Sequence, residues 1–444
     1  MKIGLEVHVQ LPTRSKMFCS CSTAHSEEPN TNVCPTCLGM PGSRPSLNRS
    51  AVELGLKIAK MLDCTIPETT WFSRKTYFYP DLAKHFQITQ YDTPIGEGGR
   101  YVLKGKTIRI TRVHLEEDPG KTKRVGDDSS LIDYNRSGIP LVEIVTEPDI
   151  SSPAEAREFL SELISGIRHI IDLPEDGERS IRADCNLSVG PERCEVKNVT
   201  GLKNVERALM YEAVRQTKVL KAGGKIVRET RRYDEERKVT TPARKKEFEE
   251  DYGYIGEPDL GVYNIKRIAD GIRIKETPAD MASRLSMEYS INDKISKQIV
   301  NTSVKLAELF EDLIKATDAE TAVSWTTGII SANWRSLDQD YEGKKDSVIG
   351  IVKEFHSGKM TDTETSIKLK ALVTGQEAIS AEDSGDLRSM IREYLDANPS
   401  IIDDYRKNSK AANKVIGFVI KRSSGKYSSQ DIVESTEELI GERL

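Results

Sequence analysis

Two pairs of cysteines near the start of the chain have the spacing of a metal site. Cys19 and Cys21 form a Cys-x-Cys pair, and after a twelve-residue gap Cys34 and Cys37 form a Cys-x-x-Cys pair. Each pair fits one tight turn, and the connection is long enough to bring the two turns together. This spacing predicts a four-thiolate zinc site. Four thiolates leave no open coordination position, so such a zinc would be structural. The alternative is four reduced, unpaired cysteines.

A carboxylate and an imidazole precede the cysteines in the run Ile-Gly-Leu-Glu-Val-His-Val-Gln-Leu. Glu6 and His8 are two apart, so on a strand both side chains leave the same face, while Leu5, Val7 and Val9 take the other. Such a pair can hold a divalent cation or handle protons. The alternative is an ordinary solvated sheet face.

Further acidic positions favour the chemical interpretation. The run His114–Asp118 ends a strand whose apolar alternation slips between Ile110 and Val113, which predicts a bulge. Glu143 lies inside a strongly apolar strand, where a lone carboxylate is costly unless a cation or a donor satisfies it. Clustered carboxylates of this kind suit Mg²⁺ and phosphoryl transfer from ATP.

Arg182 and Asp184 share the polar face of another predicted strand. The sequence has no glycine-rich G-x-x-x-x-G-K-[ST] loop and no kinase H-R-D set. The residues alone therefore predict a metal-assisted site on a sheet, with a nucleotide as a possible substrate.

The elements that must position these residues are strands in the first 265 residues and helices after about residue 278. Period-two alternation predicts the strands Ile3–Leu11, Lys106–Leu115, Pro140–Thr146 and Ile181–Val189, the last continuing through a turn into Cys194–Val199. Ser152 as N-cap, Pro153 and Glu155 predict the start of a helix. A second helix is predicted around Asn204–Leu220, and residues 223–257 are expected to be polar and to end in a loop.

Helical periodicity replaces the strand signals from about Pro278, and Ser380–Gly385 has the composition of a linker into a small terminal domain. That terminal part contains a basic stretch, Tyr405–Gln430, with no acidic residue. Its cationic residues are Arg406, Lys407, Lys410, Lys414, Lys421, Arg422 and Lys426. The stretch fits an RNA-phosphate footprint, and the alternative is a solvated cationic helix.

Bulk properties limit the class of protein. At 444 residues the chain is expected to form two or three domains. Charged residues make up 30% and the net charge is −5, so any RNA binding must come from local basic patches. No run approaches the ~20 apolar residues that span a bilayer, and no leader is evident. Seven cysteines, four of them clustered, fit a reducing cytoplasm better than a disulfide scaffold.

Ordered motifs over the first 260 residues resemble the B subunit of the tRNA-dependent amidotransferases, which convert Glu-tRNA(Gln) or Asp-tRNA(Asn) into Gln- or Asn-tRNA. The resemblance begins over Ile3–Asn48. It continues through R-K-T-Y-F-Y-P-D-L (74–82), H-L-E-E-D-P-G-K (114–121), D-Y-N-R-S-G-I-P-L-V-E-I-V-T-E-P-D (133–149), R-A-D-C-N-L-S-V (182–189), C-E-V-K-N-V (194–199) and E-P-D-L (257–260).

This resemblance implies an α+β fold whose large mixed-sheet catalytic domain is similar to glutamine synthetase. It implies three domains: a catalytic cradle domain with the zinc loop at 1–270, a helical domain at 278–378 and a small helical, tRNA-binding tail at 386–444. The implied activity is ATP- and Mg²⁺-dependent phosphorylation of the side-chain carboxylate on the tRNA, followed by amidation with ammonia, which makes the complex a carbon–nitrogen ligase.

The resemblance also implies roles for individual residues. Glu6 and His8 match the E-V-H motif, Glu117 the second acid of H-x-E-E-D, and Glu143 the P-L-x-E motif, so these four are the expected magnesium and catalytic ligands. Candidates for ATP or phosphate binding are Lys75, Arg182 and Asp184. For Lys75 and Arg182 the alternative is a salt bridge on a solvated face.

The chain shows no convincing amidase signature, so the resemblance implies partners: an amidase A subunit that releases ammonia from glutamine, and a small C subunit. One departure stands out, because Gly253 occupies the place of an arginine in the family's D-Y-R-Y-F motif. Two alternatives remain at this point. One is a non-catalytic, zinc-stabilised tRNA-binding subunit, and the other is a free-standing ligase for a small molecule.

Overall fold

The computed structural model describes residues 1–125, 129–173, 181–245, 253–375, 386–408, 411–423, 427 and 429–443. These residues divide into two compact units, Met1–Thr277 and Pro278–Leu444. The linker predicted at Ser380–Gly385 and the predicted RNA contacts Lys410 and Lys426 lie outside the described residues. Within the described residues, no helix combines the length and the apolar character needed to cross a membrane.

The first unit contains the strands. In chain order they are β1 Lys2–Gln10, β2 Thr69–Thr70, β3 Ser73–Thr76, β4 Phe86–Thr89, β5 Gly96–Leu103, β6 Lys106–Glu117, β7 Lys121–Val125, β8 Ser129–Asp133, β9 Pro140–Thr146, β10 Ile181–Ser188, β11 Cys194–Thr200, β12 Glu229–Asp234, β13 Val239–Lys245, β14 Gly253–Gly256 and β15 Tyr263–Asn264. Its helices are α1 Arg49–Met61, α2 Pro153–Ile171, α3 Leu202–Lys221 and α4 Ile265–Gly271.

Eleven of the described strands form one large mixed sheet. Its order is β13-β12-β11-β10-β1-β9-β6-β4-β3-β14, with β5 added beside β6. The β11–β12 pair is parallel, and the other pairs are antiparallel. The prediction of a mixed α and β fold with a large mixed sheet and a helical C-terminal region is confirmed.

The first strand lies near the middle of this sheet, hydrogen-bonded to β10 on one side and β9 on the other. Ile3, Leu5, Val7 and Val9 are at most 1% exposed and belong to the core that also holds the apolar sides of α1, α2 and α3. Because side chains alternate along a strand, Glu6 and His8 leave the opposite face, which carries polar side chains.

The start of α2 shows how local sequence fixes an element. The Ser152 hydroxyl accepts a hydrogen bond from the Glu155 amide at 3.1 Å, as predicted for an N-cap. The Glu155 carboxylate accepts from the Ser151 amide at 2.8 Å, one residue earlier than a standard capping box requires.

One feature of the sheet, a bulge, was predicted from the sequence, and another, a set of three strands, was not. The predicted bulge is confirmed, because the β6–β9 register shifts between Ile110 and Arg112. The polar stretch at 223–257 ends in a loop after Gly256, as expected, but it also contributes β12, β13 and β14, which the sequence did not predict. β12 and β13 carry charged residues, and β14 is the four-residue segment Gly-Tyr-Ile-Gly, so none of them shows a clear apolar alternation.

The second unit is helical over its described residues. Its helices are α5 Pro278–Glu288, α6 Asp293–Thr302, α7 Val304–Ala316, α8 Ala319–Trp325, α9 Trp334–Asp338, α10 Tyr341–His356, α11 Asp362–Thr374, α12 Leu387–Ala397, α13 Ser400–Lys407, α14 Ala412–Ser423 and α15 Ser429–Gly441, with a π-helical turn at Thr326–Ile330. One apolar core gathers around Phe310 and Leu313, and a separate one around Ile391 and Val415.

Candidate active site and metal centres

The polar face of the large sheet lines a groove of about 800 Å³ in the first unit. Side chains of β1, β6, β9, β10 and β11 supply its acidic floor, and those of β3, β4, β12 and β14 contribute to its ends. A cavity of this size suits a small-molecule substrate or cofactor.

The first acidic cluster spans three neighbouring strands. Glu143 on β9 lies opposite His8 on β1 and opposite His114 on β6, and Glu116 lies two residues beyond His114 on the same face. His8 Nε2 is 3.5 Å from Glu143 Oε2 and 3.6 Å from Glu116 Oε1. His114 Nε2 is 3.0 Å from Glu143 Oε2. One ligand atom each of His8, Glu116 and Glu143 lie within 4.8 Å of one another, close enough to share a cation.

Charge within this cluster is strongly coupled. Burial disfavours the imidazolium form of His8. The negative charges of Glu143 and Glu116 outweigh this effect of burial and raise the pKa of His8 to about 10. Burial would raise the pKa of Glu143, yet His114 and His8 hold it well below its usual range. The neighbouring imidazoles of His8 and His114 thus favour the ionised form of the Glu143 carboxylate, the form that can ligate a cation.

Glu117, the predicted ligand, lies elsewhere. It occupies the opposite face of β6, where its carboxylate pairs with the Lys84 ammonium and accepts from the Ile88 amide at 2.9 Å. The structure does not bring Glu117 to the cluster and places Glu116 there instead. The reason is strand parity, since Glu116 shares a face with His114 and the next residue must point away.

A second acidic cluster adjoins the first across β1, β10 and β11. Glu6, Asp184 and Glu195 place ligand oxygens within 4.8 Å of one another. Lys197 lies between two of them, with Nζ 3.2 Å from Asp184 and 3.1 Å from Glu195. Burial, together with Glu143, raises the pKa of Glu6. Asn186 donates to Glu6 at 2.9 Å, and its buried Oδ1 has no hydrogen-bond partner among the described residues.

The predicted phosphate-binding residues line the same groove, and each of them contacts different neighbours. Arg182 Nη2 is 2.9 Å from Oδ1 of the buried Asp118, so this guanidinium is in an ion pair. Lys75 on β3 lies over the Tyr77 ring at 6.0 Å. Both line the groove, and Asp184 belongs to the second cluster.

The four cysteines come together in the first unit. Their sulfur atoms lie within 4.8 Å of one another, compared with about 3.8 Å expected around a tetrahedral zinc with 2.3 Å Zn–S bonds. A hydrogen bond from Cys19 lowers the pKa of Cys37 to about 4, whereas that of Cys19 is raised. The donor set fits a structural zinc.

A fully buried cation lies against this thiol cluster. Lys16 is 0% exposed, and its Nζ donates to the carbonyl oxygens of Asn32 at 2.7 Å and Tyr134 at 3.3 Å. The same atom lies 3.7 Å from Cys37 Sγ. Lys16 therefore provides positive charge to the thiolates and links the cysteine loop to the segment that precedes β9.

The basic stretch of the tail falls on α13 and α14. Arg406 is exposed, Lys414 Nζ lies 3.5 Å from Asp404, and Arg422 Nη1 lies 3.2 Å from Glu393. Lys407 and Lys421 lie in these helices, but their side chains are outside the described set. The pairs that are described are exposed and therefore weak, so a phosphate could replace either acid.

Sequence reasoning assigned no individual role to four residues that line this groove: His114, Glu116, Glu195 and Lys197. Glu195 and Lys197 alternate in Cys-Glu-Val-Lys on the strand paired with Asp184, and this alternation was an available signal. His114 and Glu116 share a period of two, which would have selected Glu116 over Glu117.

Two family models match the chain. The GatB/GatE catalytic domain covers residues 1–269, and the GatB domain covers residues 308–440. Both units therefore contain a matched region.

Full-length relatives give the same result. A protein of Methanospirillum hungatei is 40% identical over 100% of this chain and 98% of its own length. Relatives from Methanoregula boonei and Caldanaerobacter subterraneus are 39% and 37% identical, over 96% and 100% of this chain and 95% and 98% of their own lengths. Each is named as the B subunit of an aspartyl/glutamyl-tRNA(Asn/Gln) amidotransferase.

Proposed function

The chain belongs to the B-subunit family of the aspartyl/glutamyl-tRNA(Asn/Gln) amidotransferases, and from this premise we propose that its groove is where a tRNA-linked carboxylate is phosphorylated. The protein is one component of a tRNA-dependent amidotransferase, a ligase. In the proposed reaction a side-chain carboxylate oxygen of Glu-tRNA(Gln) or Asp-tRNA(Asn) attacks the γ-phosphorus of ATP, and ADP leaves. Ammonia then attacks the acyl phosphate, phosphate leaves and the amide forms.

The observation that carries the proposal is the pair of acidic clusters on one open face of the sheet. Glu116 is 5% exposed and Glu143 is 9% exposed, and buried carboxylates in such numbers are costly unless cations satisfy them. Carboxylate oxygens with one imidazole fit a divalent cation such as Mg²⁺. His8, Glu116 and Glu143 would hold one cation, and Glu6, Asp184 and Glu195 form the candidate for a second.

A bound Mg²⁺ would neutralise charge on the transferring phosphoryl group. The chain's own residues then have separate tasks. Glu143 and Glu116 stay ionised because imidazoles flank them. Lys197 holds Asp184 and Glu195 in place from the rim of the second cluster. Lys75 and Arg182 line the groove as the basic groups proposed to contact phosphate or substrate.

The finer features of the fold and assembly follow from the same proposal. The large sheet with its metal-binding face is proposed to be a glutamine-synthetase-like catalytic domain over residues 1–270. Zinc in the four-cysteine site would hold the cysteine loop in place within this domain. The helical region at 278–378 and the tail at 386–444 are proposed as separate domains, the tail binding tRNA. An amidase partner and a small linking partner would supply ammonia and join the complex.

A substitution of Glu143 tests the proposal against a purely tRNA-binding role. ATP hydrolysis by the chain, assembled with an amidase partner, is expected to require Mg²⁺ and misacylated tRNA. In Glu143→Gln this turnover should fall at least 100-fold, with tRNA affinity nearly unchanged, because the cation loses a buried ligand. Unaltered amidation by Glu143→Gln would refute the catalytic assignment. Turnover with free glutamate and no tRNA would instead indicate a small-molecule ligase.

A further inference from the structure

His114 is the buried polar group of the first cluster that the proposed cation does not need as a ligand. It is 4% exposed and lies beside Glu143, with Nε2 at 3.0 Å from Glu143 Oε2 and at 3.9 Å from Glu116 Oε2. Glu143 therefore has an imidazole on each side, His8 towards the groove centre and His114 on the neighbouring strand.

The other ring nitrogen of His114 is orphaned. Nδ1 is buried and has no hydrogen-bond partner among the described residues. A proton on Nδ1 would be a buried donor without an acceptor, which is unfavourable. Nε2, at 3.0 Å from Glu143 Oε2, is therefore the ring nitrogen placed to donate a hydrogen bond. This arrangement makes the ring a fixed hydrogen-bond donor to a carboxylate.

We propose that His114 is a positioning residue for a divalent cation, holding the Glu143 and Glu116 carboxylates in the orientation in which they and His8 can share it. The inference rests on the proposed function, since it takes the cluster to be a cation site. Groups that hydrogen-bond a ligating carboxylate from outside typically change metal affinity 10- to 100-fold when removed. His114 has the burial and the contacts of such a group.

The strand pairing explains why this position can act through its neighbours. His114 and Glu143 are cross-strand partners, so their side chains rise side by side from adjacent strands. Glu116 follows His114 on the same face, two residues along β6. One ring therefore lies close to both carboxylates, with Nε2 at 3.0 Å from Glu143 and 3.9 Å from Glu116.

Two substitutions of similar size separate positioning from simple space filling. The amide nitrogen of Gln reaches the place of the imidazole Nε2, so His114→Gln keeps a donor for Glu143. The amide of Asn reaches only the place of Nδ1, so His114→Asn keeps polarity and loses that donor. Mn²⁺ affinity of the full-length chain, measured by electron paramagnetic resonance, reports the site without any turnover. Glu143→Gln defines the background from other Mn²⁺ sites.

We expect His114→Gln to bind Mn²⁺ within about threefold of the parent and His114→Asn to bind at least about tenfold more weakly. Unfolding temperatures measured without metal should be alike in the two variants. Equal Mn²⁺ affinity of the two variants, with the parent binding above the Glu143→Gln background, would overturn the role of His114 alone. A parent that binds no Mn²⁺ above that background would overturn the cation site and the inference with it.

Discussion

At the scale of single residues, the chemistry depends on which of two adjacent glutamates faces the groove. Glu116 faces His8, and Glu117 faces Lys84 on the other side of the strand. We therefore expect Glu116→Gln to weaken Mn²⁺ binding about tenfold or more, and Glu117→Gln to leave it within about threefold. Equilibrium Mn²⁺ titrations of the two folded variants check this, and the opposite order would place the cation on the Lys84 side.

Lys16 offers a second prediction at this scale. Replacing it by methionine removes a buried ammonium from beside Cys37 and leaves two carbonyl oxygens without their donor. Zinc release to a chelator should become about tenfold faster, because the thiolates lose positive charge, a change of roughly 1.4 kcal/mol.

Lys60 provides a matched control. Its ammonium also donates to carbonyl oxygens, for example to that of Ile272 at 2.8 Å, but it lies in α1 and not in the cysteine loop. Lys60→Met should lose zinc at the parent's rate. Equal acceleration in both variants would show a general loss of stability and would remove Lys16 from the account of the zinc site.

At the scale of elements, a buried polar network fastens α3 to the edge of the sheet. Glu212 is 0% exposed. Its carboxylate accepts hydrogen bonds from Arg215 at 2.6 Å, Gln216 at 2.9 Å and Thr240 at 2.9 Å. The Arg231 guanidinium lies 3.3 Å away. The β12 strand that carries Arg231 also carries Thr230, which contacts Glu195 of the second cluster. The network therefore supports the groove from its helix side.

Breaking this network gives a stability prediction with a defined pH dependence. Burial would raise the pKa of Glu212, but Arg215 and the other donors outweigh it and lower the pKa below the ordinary value of 4.5. The stabilisation from ionised Glu212 is therefore complete above pH 4.5 and is lost as pH falls through the lower, folded-state pKa.

Glu212→Gln should reduce the free energy of unfolding by about 3 kcal/mol at neutral pH, and the difference from the parent should shrink in acid below pH 4.5. Denaturant unfolding across pH measures this. Glu206→Gln on the same helix removes a more exposed pair with Arg157 and should cost under about 1 kcal/mol. A pH-independent difference for Glu212→Gln would contradict the assigned charge.

The sequence predicted those structural features that depend on residues close together in the chain. The face of β1 with Glu6 and His8, the capped start of α2 and the cysteine spacing all follow from residues close in the chain. The choice between Glu116 and Glu117, and the joining of Glu195 to Glu6, depend on register between strands distant in sequence. The strands β12 and β13 were missed because charged residues interrupt their apolar alternation, and β14 because four residues are too few to show one.

At the scale of the whole molecule, the chain combines an acidic groove in one unit with a basic stretch in the other. Neutralising Lys414 and Arg422 together, both to glutamine, should weaken tRNA binding several-fold. It should also reduce the slope of log affinity against log salt by about 1.4–1.8, because two phosphate contacts are lost. Filter binding across salt concentrations measures both quantities.

The control for the tail is Lys305→Gln combined with Lys345→Gln, which removes the same charge from α7 and α10 of the second unit. These substitutions should leave the salt slope unchanged. If both double variants lower the slope equally, binding depends on overall charge and the tail has no special part in it.

We propose that the carboxylate carried by the tRNA is phosphorylated in the groove. The most direct test incubates the chain and its amidase partner with γ-³²P-labelled ATP, Mg²⁺ and misacylated tRNA in the absence of glutamine. We predict that label appears on the aminoacyl-tRNA, that added ammonia releases it as phosphate, and that Glu143→Gln forms none. Bound tRNA that acquires no label while the complete complex still amidates it would contradict the account.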